Sequence, residues 1–541
     1  MNRIGLFLAV LIGVASNACN PGSSSAADGG SDTDTDTDTG SDTDTDTDTG
    51  TDTGDVVCGG ELVYEGNVTL GTPEDLLALA GYTAVTGRLT IECEECSALS
   101  VLTCLQSVGG DMSVRWNHGL DDLSGLENLQ VVGGDLVFWN NEGLGDMTGL
   151  GSLSSIGQEL KYYANGSMED FEGFDSLTVV GASVIVENED ALTSFAGLGC
   201  LEDIGEDLVI QETLLLSDFE GLGGLATVHG NVEVFDNPVL ESFAGLDSLE
   251  EIGGSLKIHD NPALSSLDGM ETLAAVGMAV DLYWCDSLEG IDGLSGLTGV
   301  GGKLHIGALE ILDNIDGLSS LASVGDNIGI SDLPALRNVD GLSSIELVPG
   351  ELRVDENPIL ENINGLSGVT EVEGQLVISA NPQIENLDGL SGLQSVGEAV
   401  FIGENDALTD ISGLASLQTA SGGLWITDNP LLESLSGLES LSTIGWHGLN
   451  VENNDALLDL DGLSGLTTLD AVISMSVEEN DSLGSLAGLG GIAAVECGSV
   501  FVRNNAALPT CEADWFVDHL EGLGWEGTSY VSGNDDLGTC E

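Results

Sequence analysis

The sequence predicts a mainly β protein, one long leucine-rich β-solenoid of about nineteen coils preceded by an extended stalk. Three observations lead there. A frame of the form Leu-x-Ile-x-x-Asn recurs, and its sixth position falls at 117, 141, 165, 189, 213, 237, 261, 285, 309, 333, 357, 381, 405 and 429, thirteen consecutive steps of 24. Looser copies follow at 454, 480 and 505. Apolar residues make up 42% of the 541 while aromatic ones reach only 4%, and 77 are Gly, so the core must be built from Leu, Val and Ile and made compact by repetition. In chain order this divides the protein into an export signal (1–18), a lipidated Cys19 with a stalk (19–55), an N-terminal cap and first coils (56–104), the solenoid (105–510) and a C-terminal disulfide cap (511–541).

The first segment has the make-up of an export signal. Arg3 supplies the positive start, and Ile4 to Val14 form an apolar core too short to span a membrane. Ser16-Asn17-Ala18-Cys19 resembles the bacterial lipobox, with Ser where Leu is usual. The expectation is acylation of Cys19 and anchoring to the bacterial outer membrane or cell surface. Ser16-x-Ala18 also suits an ordinary signal peptidase, so plain secretion is the alternative.

Asn20 to Asp55 is almost free of apolar residues and repeats Asp-Thr pairs. Like charges repel and nothing can be buried, so an extended, disordered stalk is expected, able to hold the body ~100 Å from a membrane at up to ~3.3 Å per residue. Its alternating Asp residues lack the ligand-Gly-hydrophobic pattern that shapes a calcium loop. No cofactor is therefore expected, and any Ca²⁺ binding is expected to be weak. Across the chain, 9 Lys and Arg face 92 Asp and Glu, a net charge of −83. Such a surface repels nucleic acid and anionic headgroups; membrane contact is expected through the lipid alone.

From about Val56 each unit reads Gly-Gly-x-Leu-x-Ile-x-x-Asn-x-x-Leu-x-x-Leu-x-Gly-Leu-x-x-Leu-x-x-Val. Leu-x-Ile has the period of two of a strand, with both apolar chains on one side. Corner glycines are expected to turn the chain with positive φ. No window holds ten or more helix-forming residues between glycines, so little helix is expected. One coil cannot bury its own stripe; stacked coils at ~4.8 Å make parallel sheets and a rod about 90 Å long.

Twelve of the seventeen ladder positions from 117 to 505 are Asn. An inward Asn can bond backbone groups of its own turn and of the next coil. The exceptions are Glu189, Thr213, Cys285, Leu309 and Leu333. Leu309 and Leu333 are expected to stack as an apolar substitute, and Cys285 to be a buried thiol.

This register resembles leucine-rich repeats and, more closely, the receptor L domain of the insulin and epidermal growth factor receptors. Thr72-Pro73-Glu74-Asp75-Leu76-Leu77 with Val85-Thr86-Gly87-Arg88-Leu89-Thr90-Ile91 is similar to that domain's first coils, and Asn504-Asn505-Ala506-Ala507-Leu508-Pro509-Thr510-Cys511 to its closing motif. The resemblance spans about residues 57 to 541 and implies a right-handed β-helix with a recognition role. It departs in having roughly three times the coils of a family domain and no kinase or cysteine-rich module, so receptor signalling does not carry over. Internalin-like repeats share Leu-x-Gly-Leu-x-x-Leu but lack the Gly-Gly pair.

The cysteines other than Cys19 gather toward the ends of the body, where a solenoid exposes its core. Cys58 is expected to pair with one of Cys93, Cys96 or Cys104, and Cys511 with Cys540. Cys93-x-x-Cys96 has no second Cys or His pair at metal spacing, so structural pairing is preferred over zinc.

Chemistry finds little foothold. The six His residues share no motif, and no nucleophile elbow or phosphate loop occurs. A polysaccharide-acting β-helix enzyme is the least favoured reading, and no catalytic residue is assigned. A binding face is better supported. The outward columns of the Leu-x-Ile strand carry Trp116, Trp139, Tyr163, Phe235, His259, Tyr283 and Trp284, with Trp425 farther on, beside Arg115, Lys161, Lys257, Arg353 and Arg503. Exposed aromatics suit an unidentified protein or glycan partner; aromatics also suit strand surfaces for packing reasons alone. The expected function is non-enzymatic surface recognition, with a structural or adhesive envelope spacer, possibly Ca²⁺-dependent, as the alternative.

Overall fold

The computed structural model describes residues 56, 58–470 and 473–540. The expected export signal, Cys19 and the stalk lie outside the described residues.

Each copy of the repeat forms one coil. In Leu256–His259 the side chains of Leu256 and Ile258 point inward and are buried, while Lys257 and His259 face out. Each strand pairs in parallel with the equivalent residues one period on, Leu256 against Val280 and Ile258 against Leu282. Repeated pairing gives an open sheet of 20 strands, from Val68–Leu70 to Thr528–Ser532.

Two-residue strands just before the glycine pair build further sheets of 12 and 7 strands. The break between them has a local cause. The residue after each short strand donates its N–H to the preceding coil, Gly325 to Val300 O at 2.9 Å and Glu373 to Val348 O at 2.9 Å. In the intervening coil that residue is Pro349, which has no N–H to give.

The glycines act partly as expected. Gly197, in the Leu-x-Gly-Leu corner, has φ +100 and a Cβ there would stand 1.9 Å from Phe171 O. The Gly-Gly pair corrects the expectation: neither Gly253 nor Gly254 has positive φ. A Cβ on Gly254 would meet Asn231 Oδ1 at 2.5 Å, so this pair is needed for close coil-to-coil approach. The left-handed corner beside the ladder is instead held by seventeen non-glycine residues, from Trp116 to Asn504, with φ between 52 and 60. Such a conformation costs an L-residue roughly 1–2 kcal/mol, and the ladder holds it in place.

The ladder Asn residues are fully buried. Asn381 shows the bonding: Nδ2 donates back to Val354 O (2.9 Å) and to Ser379 O (2.8 Å), while Oδ1 accepts from Asn357 N and Nδ2 at 3.2 Å. The Asn381 amide thus ties its own coil to the preceding one. Asn534 adds a rung beyond Asn505. Leu309 and Leu333 are buried in the apolar core, as is the Cys285 thiol, whose pKa burial pushes up to about 11.

Aromatic residues enter the core more than composition suggests. Phe171, Phe195, Phe219 and Phe243 stack at 5.7, 5.6 and 4.9 Å with planes within 13°. Both ends are closed. At the first, a short helix over Pro73–Leu77 is capped by the Thr72 hydroxyl and buries Leu76. At the other, a 13-residue helix over Thr510–Gly522 lays Ala513, Phe516, Val517 and Leu520 over the open core. This helix adds to the expected disulfide cap an element that the sequence reading did not name; its apolar residues fall at i, i+3, i+4 and i+7, the spacing of one helical face. Cys58 pairs with Cys104, Cys93 with Cys96 and Cys511 with Cys540. No helix among the described residues is long and apolar enough to cross a membrane.

Candidate functional site

Strand register turns sequence positions into straight rows on the outer face. The fourth strand position places Trp139 beside Tyr163, and farther along Phe235, His259 and Tyr283 side by side. Trp116 and Trp284 are not on the strand column, as expected, but on the left-handed residue after it (φ 60 and 55). That corner turns them out at the edge of the sheet, where they are 41% and 56% exposed, the most exposed of the seven.

The predicted residues form two clusters instead of one column. Trp116, Trp139 and Tyr163 make the first, with ring centroids 5.0 and 5.5 Å apart. Phe235, His259 and Tyr283 make the second, stacked at 4.9 Å with planes within 14° and 2°, and Trp284 stands across Tyr283 at 85°. Two coils carrying Glu187 and Gln211 separate the clusters. Trp425 belongs to a third group with Phe401 and His447.

The second cluster borders a recess that residue-type reasoning missed. Past Tyr283 the row continues with Gly307 and Ser331. A cavity of about 360 Å³ lies there, bounded by Tyr283, Trp284, His305 and Asp332 and floored by Gly307 and Ala308. It adjoins a second of about 290 Å³ over Gly329, beside Lys303 and Arg353. The sequence signal for the recess is the lapse of the ring row to Gly307 in the copy after Tyr283.

Electrostatics on this face is one-sided. All eight basic residues from Arg88 onward are ion-paired with carboxylates: Arg88 with Asp111, Arg115 with Glu92, Lys161 with Glu159, Lys257 with Glu233, Lys303 with Asp281, Arg337 with Glu361, Arg353 with Asp355, and Arg503 with Glu478. The five cations expected on the strand columns are there, yet none is free for an anion. His305, above the recess, has its pKa lowered by burial against the opposing pull of Asp281. Burial and the neighbouring Asp281 and Asp260 push the Tyr283 phenol up, so it stays protonated. Among the described residues no group of three or more His, Cys, Asp or Glu is arranged to hold a metal.

The fold is a leucine-rich-repeat-like β-solenoid. No family model matches the chain, and no curated protein matches it. Among solved structures, an internalin (inlF) from Listeria monocytogenes is similar at 17% identity, covering 67% of this chain and 83% of its own, with a TM-score of 0.33. A TLR13–ssRNA13 complex is similar at 12% identity over 85% of this chain and 90% of its own (TM-score 0.18), and a PEPR1–AtPEP1 complex at 11% over 87% and 89% (TM-score 0.20). At such TM-scores the likeness is one of repeat character, and the solenoid stands on its own strand register.

Proposed function

We propose that this chain is a non-enzymatic recognition protein of the bacterial cell surface, anchored through a lipid on Cys19, that presents the outer strand face of its solenoid to a partner molecule. The observation that carries the reading is the pair of aromatic clusters on one face, the second bordering a recess, within a surface whose cations from Arg88 onward are all ion-paired. Rings with free edges supply contact area at low entropic cost, and a rigid row places them without ordering a loop. The groups with the largest pKa shifts do not converge on one accessible point: Glu189 and Cys285 lie inside the ladder, away from any substrate. Replacing Trp139, Tyr163 and Trp284 with Ala, then probing protein and glycan arrays with the full chain, tests the reading. Loss of binding to a captured ligand is expected; unchanged binding to every ligand captured by the parent protein refutes the site.

A second reading is supported by a separate feature. Beside the recess an acidic channel of about 680 Å³ runs over Asp332, Glu356, Glu404 and Asp428, edged by Pro334, Pro358 and Pro382. It favours an adhesive spacer whose rods associate through divalent cations. That reading expects millimolar Ca²⁺ to change rod association or stability, and scattering and melting curves indifferent to Ca²⁺ rule it out.

A further inference from the structure

The ring row ends one place short of where its own geometry leads. His259 covers one face of Tyr283, with planes 2° apart, and the opposite face is bordered by Gly307, which has no side chain, and at one side by the tilted His305 ring, 6.2 Å away at 46°. The next residue in the row is Ser331, whose hydroxyl is held by Asp355. Two coil steps, ~10 Å, thus separate the row positions of Tyr283 and Ser331. That distance leaves room for one planar group lying parallel to the Tyr283 ring, in the cavity of about 360 Å³ already described.

Charge and hydration narrow the class. Asp332 lines the slot, and none of the eight basic residues pairs with it. An anion would meet this carboxylate with no free cation to offset it. A neutral ring would stack but gain nothing from the exposed carboxylate of Asp332 at the rim. A sugar would need several polar partners, and the walls here are mainly ring and backbone carbon. A lysine ammonium is compact and strongly hydrated, and an apolar slot does not replace its water. A guanidinium is planar, weakly hydrated, stacks on aromatic faces and pairs with a carboxylate through its edge.

We propose that this slot receives the guanidinium of an arginine carried on a basic segment of a partner protein, stacked on Tyr283 and paired with Asp332. The proposal rests on the recognition reading above and names the partner chemistry for that face. The net charge of −83 favours the encounter with a basic segment, and Trp284, at 85° to Tyr283, walls the side of the slot.

Calorimetric titration of the full chain tests it, with short glycine-flanked peptides carrying a single Arg, Lys, citrulline or Phe, at physiological salt. The Arg peptide is expected to bind about tenfold more tightly than the Lys peptide, and citrulline, of the same shape without charge, to lose a similar factor. Y283L keeps the packing on His259 but removes the ring face; D332N removes the charge. Each should weaken Arg binding by about tenfold. S331F places a ring where other coils already carry one and should fill the slot and abolish binding. Equal binding of Arg and Lys peptides, tighter binding of the Phe peptide, or full binding by folded Y283L and S331F overturns the proposal. If the Ala variants of Trp139, Tyr163 and Trp284 lose a captured partner while Arg peptides ignore the slot, the recognition reading stands and this inference alone falls.

Discussion

Glu189→Gln is expected to stabilise the solenoid increasingly as pH rises above ~4.5. Glu189 occupies a ladder position in which most coils carry a neutral amide, and it is fully buried. It accepts from Asn165 N at 3.0 Å and from Asn165 Nδ2 at 3.1 Å, yet burial outweighs both bonds and pushes its pKa from an ordinary 4.5 to about 8. The folded protein therefore keeps this proton between pH ~4.5 and ~8, where the unfolded chain has lost it. Stability from this group is full below ~4.5, falls as pH rises and levels above ~8. Each tenfold difference in proton affinity between the folded and unfolded chain is worth about 1.36 kcal/mol, so the loss sums to about 5 kcal/mol. The amide variant keeps size and acceptor but has no proton to lose. Urea midpoints of parent and variant, at fixed ionic strength from pH 4 to 9, isolate the effect, because the other carboxylates cancel in the difference. The curves should lie close near pH 4 and separate steadily toward pH 8. Parallel curves, or a variant less stable at pH 9, would refute the assignment of a neutral buried carboxyl.

Three further outcomes follow from the same interior. Asn381→Ala removes two donated bonds and leaves the buried Asn357 N–H without its acceptor, and should cost about 2–4 kcal/mol in urea unfolding; a loss below ~1 kcal/mol would mean the ladder is ornamental. The hydroxyl of Tyr162 is buried with no hydrogen-bond partner, so Tyr162→Phe should be neutral or stabilising by about 1 kcal/mol in thermal melts, and clear destabilisation would reveal a hidden partner. Replacing Cys511 and Cys540 with Ser opens a 29-residue separation and should cost about 2–4 kcal/mol, read as faster amide exchange over Thr528–Ser532; exchange confined to the opposite end would contradict it.

Most of the architecture is legible in the sequence because the repeat fixes its own register. A period held at 24 residues leaves only stacking as a way to bury Leu256 and Ile258, and the strand pairing of Leu256 with Val280 follows. The ladder is legible for the same reason, as are Cys58 pairing within the N-terminal cluster and Cys511 with Cys540. The helix at Thr510–Gly522 lies beyond the last repeat and so outside its pattern, although Ala513, Phe516, Val517 and Leu520 carry a helical period. The role of the glycine pair is not legible, because positive φ and close approach demand the same residue. Only coordinates distinguish a Cβ that strains its own backbone from one that strikes the neighbouring coil.

The sequence alone determined that this protein is a rod, which residues face inward, and which stand in rows outside, because period two and period 24 are properties of the chain itself. Tertiary structure decided what lies between those rows. That Trp116 and Trp284 turn out at a left-handed corner, that every cation from Arg88 onward is already paired, and how much room is left beyond Tyr283 are all matters of distance between coils. A linear pattern names the neighbours; their spacing in space sets the fields and voids in which a partner can bind.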